Sequence, residues 1–464
     1  MLPRSRRLIN TLMSPVSPVT RERLKQLWQQ VPDKYRSSRQ MYGRTFQGCG
    51  ATIGAMPRCD FACKGCYLSE GANSIPAHSI DELKAQMRSA RDGLGQWGNL
   101  QLTDGEITLR TEDELIELLH YAKEIELLPM IMSHGDTFRR RPGLLERLMV
   151  DGGLRELSIH IDTTQRGRVG KRYKHAALES ELMPLRDEFA AMIREARKKT
   201  GLPLRVSTTM TVSRDNLSGV ADVMKWLSHN SDAFSLISFQ PVAPVGRTED
   251  VLERVTPDEL WREIAQGLYG VESAVDTLDS GNLWHGHPAC NRYVNGIFVD
   301  DLRGCPTFLP LIQIDNAPSE AILNDFIARF GGLCVRADEG FGLWLRVFAL
   351  VIHAPWLMTT RATRYAYQMA KRIDSESPLR AAWKIVTGRL RLRQLLIISH
   401  HFMSPAELET SEGQERLDLC VFRVPIDGRM VPMCEVNATP IREKYYQALT
   451  AQKPEELVAH RLAG

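Results

Sequence analysis

Residues 56–68, MPRCDFACKGCYL, are the stretch from which the rest of the chain can be read. They hold Cys59, Cys63 and Cys66 in the spacing CxxxCxxC, three of nine cysteines within eight residues. Thiols clustered at fixed spacing, with most of the others scattered through the second half of the chain, form a metal pattern rather than a disulfide framework. Three thiolates can hold three irons of a [4Fe–4S] cube and leave the fourth iron open to a substrate or cofactor. A zinc site, or three unrelated buried cysteines, is the alternative reading of the same residues.

Outward from this stretch, the sequence after Gly50 alternates short apolar runs with helical periods, as repeated βα units do. Strands are expected at Gly98–Arg110, Met130–His134, Leu154–Asp162, Leu204–Val212 and Phe234–Val242, with helices at Thr111–Glu126, Leu182–Lys199 and Leu217–Ser228 between them. With a first strand before the cysteines, these predict an α/β fold containing a partial (βα)6 TIM-like barrel over residues 49–250. Such barrels carry their chemistry on loops at the carboxyl ends of the strands. Asp104, Glu106, His134, Asp162 and Gln240 fall at or near predicted strand ends, which predicts one shared site.

Residues 1–48 read as a basic, helical lead-in, and residues 251–464 as a mixed α+β C-terminal domain. Within the latter, GLWLRVFALVIHAPWLM (342–358) is the most apolar run of the chain. Interrupted by Arg346, His353 and Pro355 and too short to span a bilayer, it reads as a buried core helix or as the lining of a lipid- or substrate-facing groove. RLDLCVFRVPIDGRMVPMCEVN (416–437) reads as a β-hairpin turning at Asp427–Gly428, with Cys420 and Cys434 on either side.

A chain of 464 residues with 43% hydrophobic and 25% charged residues has the composition of a folded soluble protein, not of a disordered or membrane-spanning one. Its 59 basic and 56 acidic residues leave a formal charge of +3, no basis for a nucleic-acid partner. The basic N-terminus lacks the apolar core and cleavage site of a secretory signal, so a cytoplasmic protein is expected, with peripheral attachment to a membrane left open.

CxxxCxxC on the loop after a first βα-barrel strand resembles the defining motif of the radical S-adenosylmethionine superfamily. LQLTDGEITLR carries the likeness further: Asp104-Gly105-Glu106 stands where that family has GGE after its second strand. The resemblance implies that Cys59, Cys63 and Cys66 hold the cluster and that S-adenosylmethionine chelates the open iron. One electron then cleaves the sulfonium to methionine and a 5′-deoxyadenosyl radical, which abstracts hydrogen from a substrate. It also implies that Asp104, Gly105 and Glu106 receive the methionine ammonium, that Asp162 binds ribose, and that Ser207 and Thr209 contact the carboxylate or ribose. Ser133 and His134 would line the site, and Gln240 and Pro241 would meet adenine or substrate. Gly65 stands where the family often has a large residue, which passes adenine packing to Tyr67.

FQPV followed by GR, RVTPDEL, HPAC, SHHFM and CVFRVPIDGRMVPMCEVN narrow the resemblance to the branch related to archaeal tetraether lipid synthase. That branch joins hydrocarbon chains of membrane lipids, which implies a lipid substrate and an electron donor such as flavodoxin or ferredoxin. Two departures stand out: no CxxC pair precedes Cys49, and Ser399 replaces the cysteine expected beside the HF of SHHFM. Cys290, Cys305, Cys334, Cys420 and Cys434 remain, with Cys290, Cys420 and Cys434 the foremost candidates for a second iron–sulfur cluster. Equally they are buried apolar cysteines, as Cys49 is taken to be. The other functional readings are a peptide-modifying enzyme of the same superfamily and a non-catalytic iron–sulfur or zinc protein.

Overall fold

The computed structural model describes residues 16–45, 50–170, 172–249, 251–301, 306–333 and 348–452. A helix, α1 (Pro18–Gln30), precedes the alternating region. There follow β1 (Gly50–Met56), α2 (Ile80–Leu94), β2 (Asn99–Asp104), α3 (Glu112–Glu124), β3 (Leu128–Ser133), α4 (Asp136–Arg140), α5 (Leu144–Val150), β4 (Glu156–His160), α6 (Met183–Thr200), β5 (Arg205–Val212), α7 (Gly219–Asn230) and β6 (Leu236–Pro241). β1 to β6 pair in parallel in chain order, with Ile53 beside Leu102, Ile131 beside Leu157 and Met210 beside Phe239. All seven residues of β1 are buried, as both-face coverage of a parallel sheet requires.

The helices begin where the sequence supplies reciprocal caps. Ser79 with Glu82 opens α2, and Thr111 with Glu114 opens α3. Their apolar stripes, Leu83, Met87 and Ala90 of α2 and Leu115, Leu118 and Ala122 of α3, join Phe189 and Ile193 of α6 in one core against the strands. The expected strands and helices are found within a few residues, except that β2 stops at Asp104 rather than Arg110. Asp104 turns to φ 85°, which breaks the extended run, and a tight turn at Ile107–Leu109 follows.

The second half contributes α8 (Pro257–Tyr269), β7 (Asn291–Asp301), β8 (Thr307–Pro310), α9 (Ala317–Phe330), α10 (Ala362–Ile373), α11 (Pro378–Val386), β9 (Leu390–His400), α12 (Ser411–Asp418), β10 (Phe422–Ile426), β11 (Arg429–Pro432), α13 (Met433–Ala438) and α14 (Ile441–Gln452). Its strands lie at both ends of the same sheet, in the order β11-β10-β1-β2-β3-β4-β5-β6-β9-β7-β8. β10 runs parallel to β1 and β9 parallel to β6. The 416–437 hairpin forms as expected, with Asp427 and Gly428 both at positive φ, as a tight primed turn demands.

The apolar run at 342–358 is described only in part. Residues 342–347 lie outside the described residues, and in the helical stretch that follows Phe348, Val351 and Ile352 are exposed, as is Trp356. Spaced i, i+3, i+4, the first three make one outward face, while Leu350 and Ala354 pack with Phe330 on the other, so the described part is buried on one side only. No helix among the described residues is long and apolar enough to cross a membrane.

Ser399, where the branch pattern expects cysteine, is fully buried at the end of β9. Its Oγ accepts from Trp261 Nε1 of α8 at 3.0 Å and meets His401 Nε2 at 3.0 Å. Ser399→Ala leaves the buried indole N–H without its partner, and a loss of about 1–3 kcal/mol is expected in urea unfolding. Unchanged stability would mean that this hydrogen bond does not hold α8 to the sheet.

Candidate functional site

One cavity of about 200 Å³ is lined by residues from all six parallel strands and by the cysteine loop. Thr52 comes from β1, Thr103 and Asp104 from β2, Ser133 from β3, His160 from β4, Thr209 and Thr211 from β5, and Gln240 from β6. Cys59, Cys63 and Cys66 lie on the same wall.

Backbone contacts fix the cysteine loop over the strand ends. Ala62 N donates to Arg166 O at 2.9 Å, Lys64 N to Thr164 O at 2.8 Å, Glu249 N to Lys64 O at 2.8 Å, and Arg247 N to Cys66 O at 3.0 Å. Two glycines make this approach possible. A Cβ on Gly105 would stand 2.1 Å from Arg58 O, and one on Gly246 would stand 2.3 Å from Tyr67 O, so neither position admits a side chain. Gly65 also has a packing reason: the space beyond it is filled by Thr211 and Val242.

The three thiols share a buried, polar-edged wall. Burial pushes the Cys59 thiol up to about 12 and that of Cys63 upward too, so iron must displace protons to bind. Burial works against the charge of Arg247, yet Cys66, Cys59 and Cys63 outweigh it and raise the guanidinium pKa. Its Nε is buried without a hydrogen-bond partner among the described residues, an orphan donor beside the thiols. Among the described residues no three His, Cys, Asp or Glu side chains converge closely enough to grip a single metal ion. A four-iron cube is held at separate corners and does not ask its thiolates to converge on one point. Three thiol donors on one wall suit such a cube with one iron left open.

Glu106 is buried at the heart of the site. Its carboxylate accepts from Thr108 N at 3.1 Å, Ser133 Oγ at 2.8 Å and His134 N at 2.9 Å, tying the turn after β2 to the end of β3. His134 stacks on Phe61 at 3.8 Å between ring centres, and its Nε2 lies 2.7 Å from Asp60 Oδ1. Burial pushes the Asp60 pKa upward, but His134 and Arg140 outweigh it and hold the carboxylate well below the usual range.

Asp104 and Tyr67, expected as ligand contacts, already have partners in α14. Arg442 Nη1 donates to Asp104 Oδ1 at 2.9 Å and Tyr446 OH to Oδ2 at 3.1 Å, while Tyr67 OH donates to Asp104 O at 2.9 Å. The Arg442 guanidinium lies 4.9 Å from the centre of the Tyr67 ring. Burial opposes the Arg442 charge, and Asp104 above all outweighs it, keeping the guanidinium protonated. Both residues still border the cavity, but the Asp104 carboxylate acts as a latch for the C-terminal helix.

Of the remaining expected residues, Gly105, Glu106, Ser133, His134, Thr209, Gln240 and Pro241 line the cavity, whereas Asp162 and Ser207 do not. Asp162 accepts from Thr164 N and Thr211 N, each at 2.8 Å, and meets His160 Nε2 at 2.6 Å. Burial opposes its ionisation, but His160 and these donors hold its pKa low. Ser207 donates to Leu157 O at 3.4 Å, one step deeper along β5 than Thr209 and Thr211. Sequence reasoning missed His160, Thr211 and Arg247. The strand alternation that puts Ser158 with His160, and Thr209 with Thr211, on one face was the available signal.

The later cysteines form a second buried neighbourhood around Arg416. Cys290 Sγ accepts from Arg416 Nε at 3.4 Å, Cys434 Sγ accepts from Met403 N at 3.4 Å, and Cys420 Sγ donates to Phe422 O at 3.0 Å. Burial pushes Cys420 to about 11 and Cys434 to about 12. Only Cys434 of the three reaches the cavity wall. Cys49, Cys305 and Cys334 lie outside the described residues.

Removing one partner of the Asp104–Arg442 pair strands a buried charge. Arg442→Met is expected to cost about 3 kcal/mol in chemical unfolding, and adding Asp104→Asn to recover more than half of it. A single-variant loss below about 1 kcal/mol would contradict the latch.

No protein-family model matches the sequence, and no curated protein sequence matches it. Among solved structures the chain is similar to Streptococcus suis SuiB bound to S-adenosylmethionine, at TM-score 0.36 and 13% identity over 52% of this chain and 51% of that one. It is similar to anSMEcpe with bound AdoMet at TM-score 0.34 and 14% identity, over 51% of this chain and 61% of that one. A putative alpha-L-fucosidase from Bacteroides thetaiotaomicron also matches, at TM-score 0.27 and 10% identity over 50% of this chain and 84% of that one. The match spans about half the length of SuiB. Likenesses this distant assign neither fold nor activity.

Proposed function

We propose that the chain is a radical S-adenosylmethionine enzyme acting on an apolar substrate. The observation that carries this reading is the placement of Cys59, Cys63 and Cys66 on one wall of a cavity shared by the ends of six parallel strands. Laid flat, six strands about 4.8 Å apart span roughly 24 Å, too wide for one small cavity, so the reading includes a sheet curled as in a partial barrel.

Cys59, Cys63 and Cys66 would hold a [4Fe–4S] cluster with one iron open. When bound, the cluster supplies the electron for reductive cleavage of S-adenosylmethionine, drawn from a donor such as flavodoxin or ferredoxin. Arg247, with its orphan Nε, supplies positive charge beside the thiolates. Gly105 brings backbone close to the cysteine loop, and Glu106 offers carboxylate charge to an ammonium group. Ser133, Thr209 and Gln240 supply further polar contacts around it. Asp104 acts through Arg442, as a positioning residue for α14.

The substrate side of the cavity is apolar. Phe402, Met403, Phe422 and Met433, all from the C-terminal half, line it beside the polar strand ends. Such a wall suits a hydrocarbon chain and excludes water from a reactive carbon centre. A peptide is the alternative substrate, and extraction of the purified protein for co-purifying lipid separates the two.

Anaerobically reconstituted wild type is expected to carry about four irons with matching sulfide, which the Cys59→Ala/Cys63→Ala/Cys66→Ala variant loses. Iron remaining in the variant would count a second cluster, for which Cys290, Cys420 and Cys434 are the foremost candidates. Zinc alone in the wild type would overturn the reading.

A further inference from the structure

We propose that the segment 348–393 seats the protein on an anionic membrane surface, lying along it without crossing. The inference goes beyond the proposed chemistry and does not rest on it. It starts from α11, where Leu379, Trp383 and Val386 are 80%, 62% and 81% exposed. At i, i+4 and i+7 they form one helical face, while Ala381, on the other side, is buried against the protein. A second such face precedes it, with Phe348, Val351 and Ile352 exposed at i, i+3 and i+4 and Trp356 73% exposed. α10 packs against α11 and against the turn at Leu357–Arg361, so the two faces belong to one connected helical layer.

Charge identifies what covers these faces. Residues 348–393 contain nine Lys and Arg against two acids, Asp374 and Glu376, a formal +7 in a chain whose total is +3. The rest of the protein is therefore −4 by the same count. Arg361, Arg380 and Arg393 are paired with Asp325, Asp374 and Asp300. Arg364, Lys371, Lys384, Arg389 and Arg391 form no ion pair among the described residues. A second copy meeting this face would set +7 against +7. An anionic bilayer satisfies both features at once, the headgroups meeting the cations while Leu379, Trp383, Val386 and Trp356 enter the acyl boundary. Tryptophan belongs at that boundary, with its ring in the apolar layer and its N–H near water. No helix among the described residues is long and apolar enough to go further.

The test is co-sedimentation of the full chain with vesicles of phosphatidylcholine alone and of phosphatidylcholine containing phosphatidylglycerol, whether or not the cluster is present. Binding at least about ten-fold stronger to the anionic vesicles is expected, weakening as salt rises. Leu379→Ser/Trp383→Ser/Val386→Ser and, separately, Arg389→Glu/Arg391→Glu should each lower binding about ten-fold while keeping the wild-type circular dichroism and unfolding midpoint. Should the serine variant misfold, quenching of wild-type tryptophan fluorescence by brominated lipid reads insertion directly. Absence of binding, or equal binding to neutral vesicles, would overturn the proposal. So would a wild-type dimer in analytical ultracentrifugation that the serine variant abolishes, since a second copy would then cover the face.

Discussion

The close backbone approach of the cysteine loop to the strand ends is the constraint on which the site depends. Gly105 against Arg58 O and Gly246 against Tyr67 O leave no room for a Cβ, and backbone hydrogen bonds of residues 62, 64, 66 and 68 tie the loop to its neighbours, joined by Thr248 Oγ1, which accepts from Cys66 N at 3.1 Å. Chain geometry thus places the loop, and Cys59 and Cys66 also pack against the buried cluster of Leu68, Ala72, Ile75 and Tyr446. The side chains of Glu106, Ser133, Thr209 and Gln240 line the cavity beside the loop.

The C-terminal half completes the site from the other side. β10 pairs with β1, β9 pairs with β6, and α14 reaches back through Arg442 and Tyr446 to Asp104. The polar ends of the parallel strands and the apolar Phe402, Phe422 and Met433 therefore belong to one folded unit, with the cavity between them. A left-handed Asp104 costs backbone energy that a glycine would not, and its buried ion pair compensates by fixing the last helix.

The βα region was legible because both its periods are strong: apolar runs for doubly covered strands, and capping boxes before amphipathic helices. Strand ends were legible to within a few residues, which is enough to gather Glu106, Ser133 and Gln240 but not to tell Asp162 from His160. Near a strand end, one residue decides which side chain meets the cavity. Partners distant in sequence left no trace, so Arg442 behind Asp104 and Arg247 beside Cys66 came only from the structure. The run at 342–358 was only half legible, because apolarity alone does not say which face of a helix meets protein and which meets something outside it.

The most direct measurement is electron paramagnetic resonance of the reduced, anaerobically reconstituted protein, with and without S-adenosylmethionine. An open iron facing this cavity predicts a cluster spectrum that shifts on adding S-adenosylmethionine, together with reductant-dependent release of 5′-deoxyadenosine. A reduced cluster whose spectrum stays the same, with S-adenosylmethionine left intact, would contradict it.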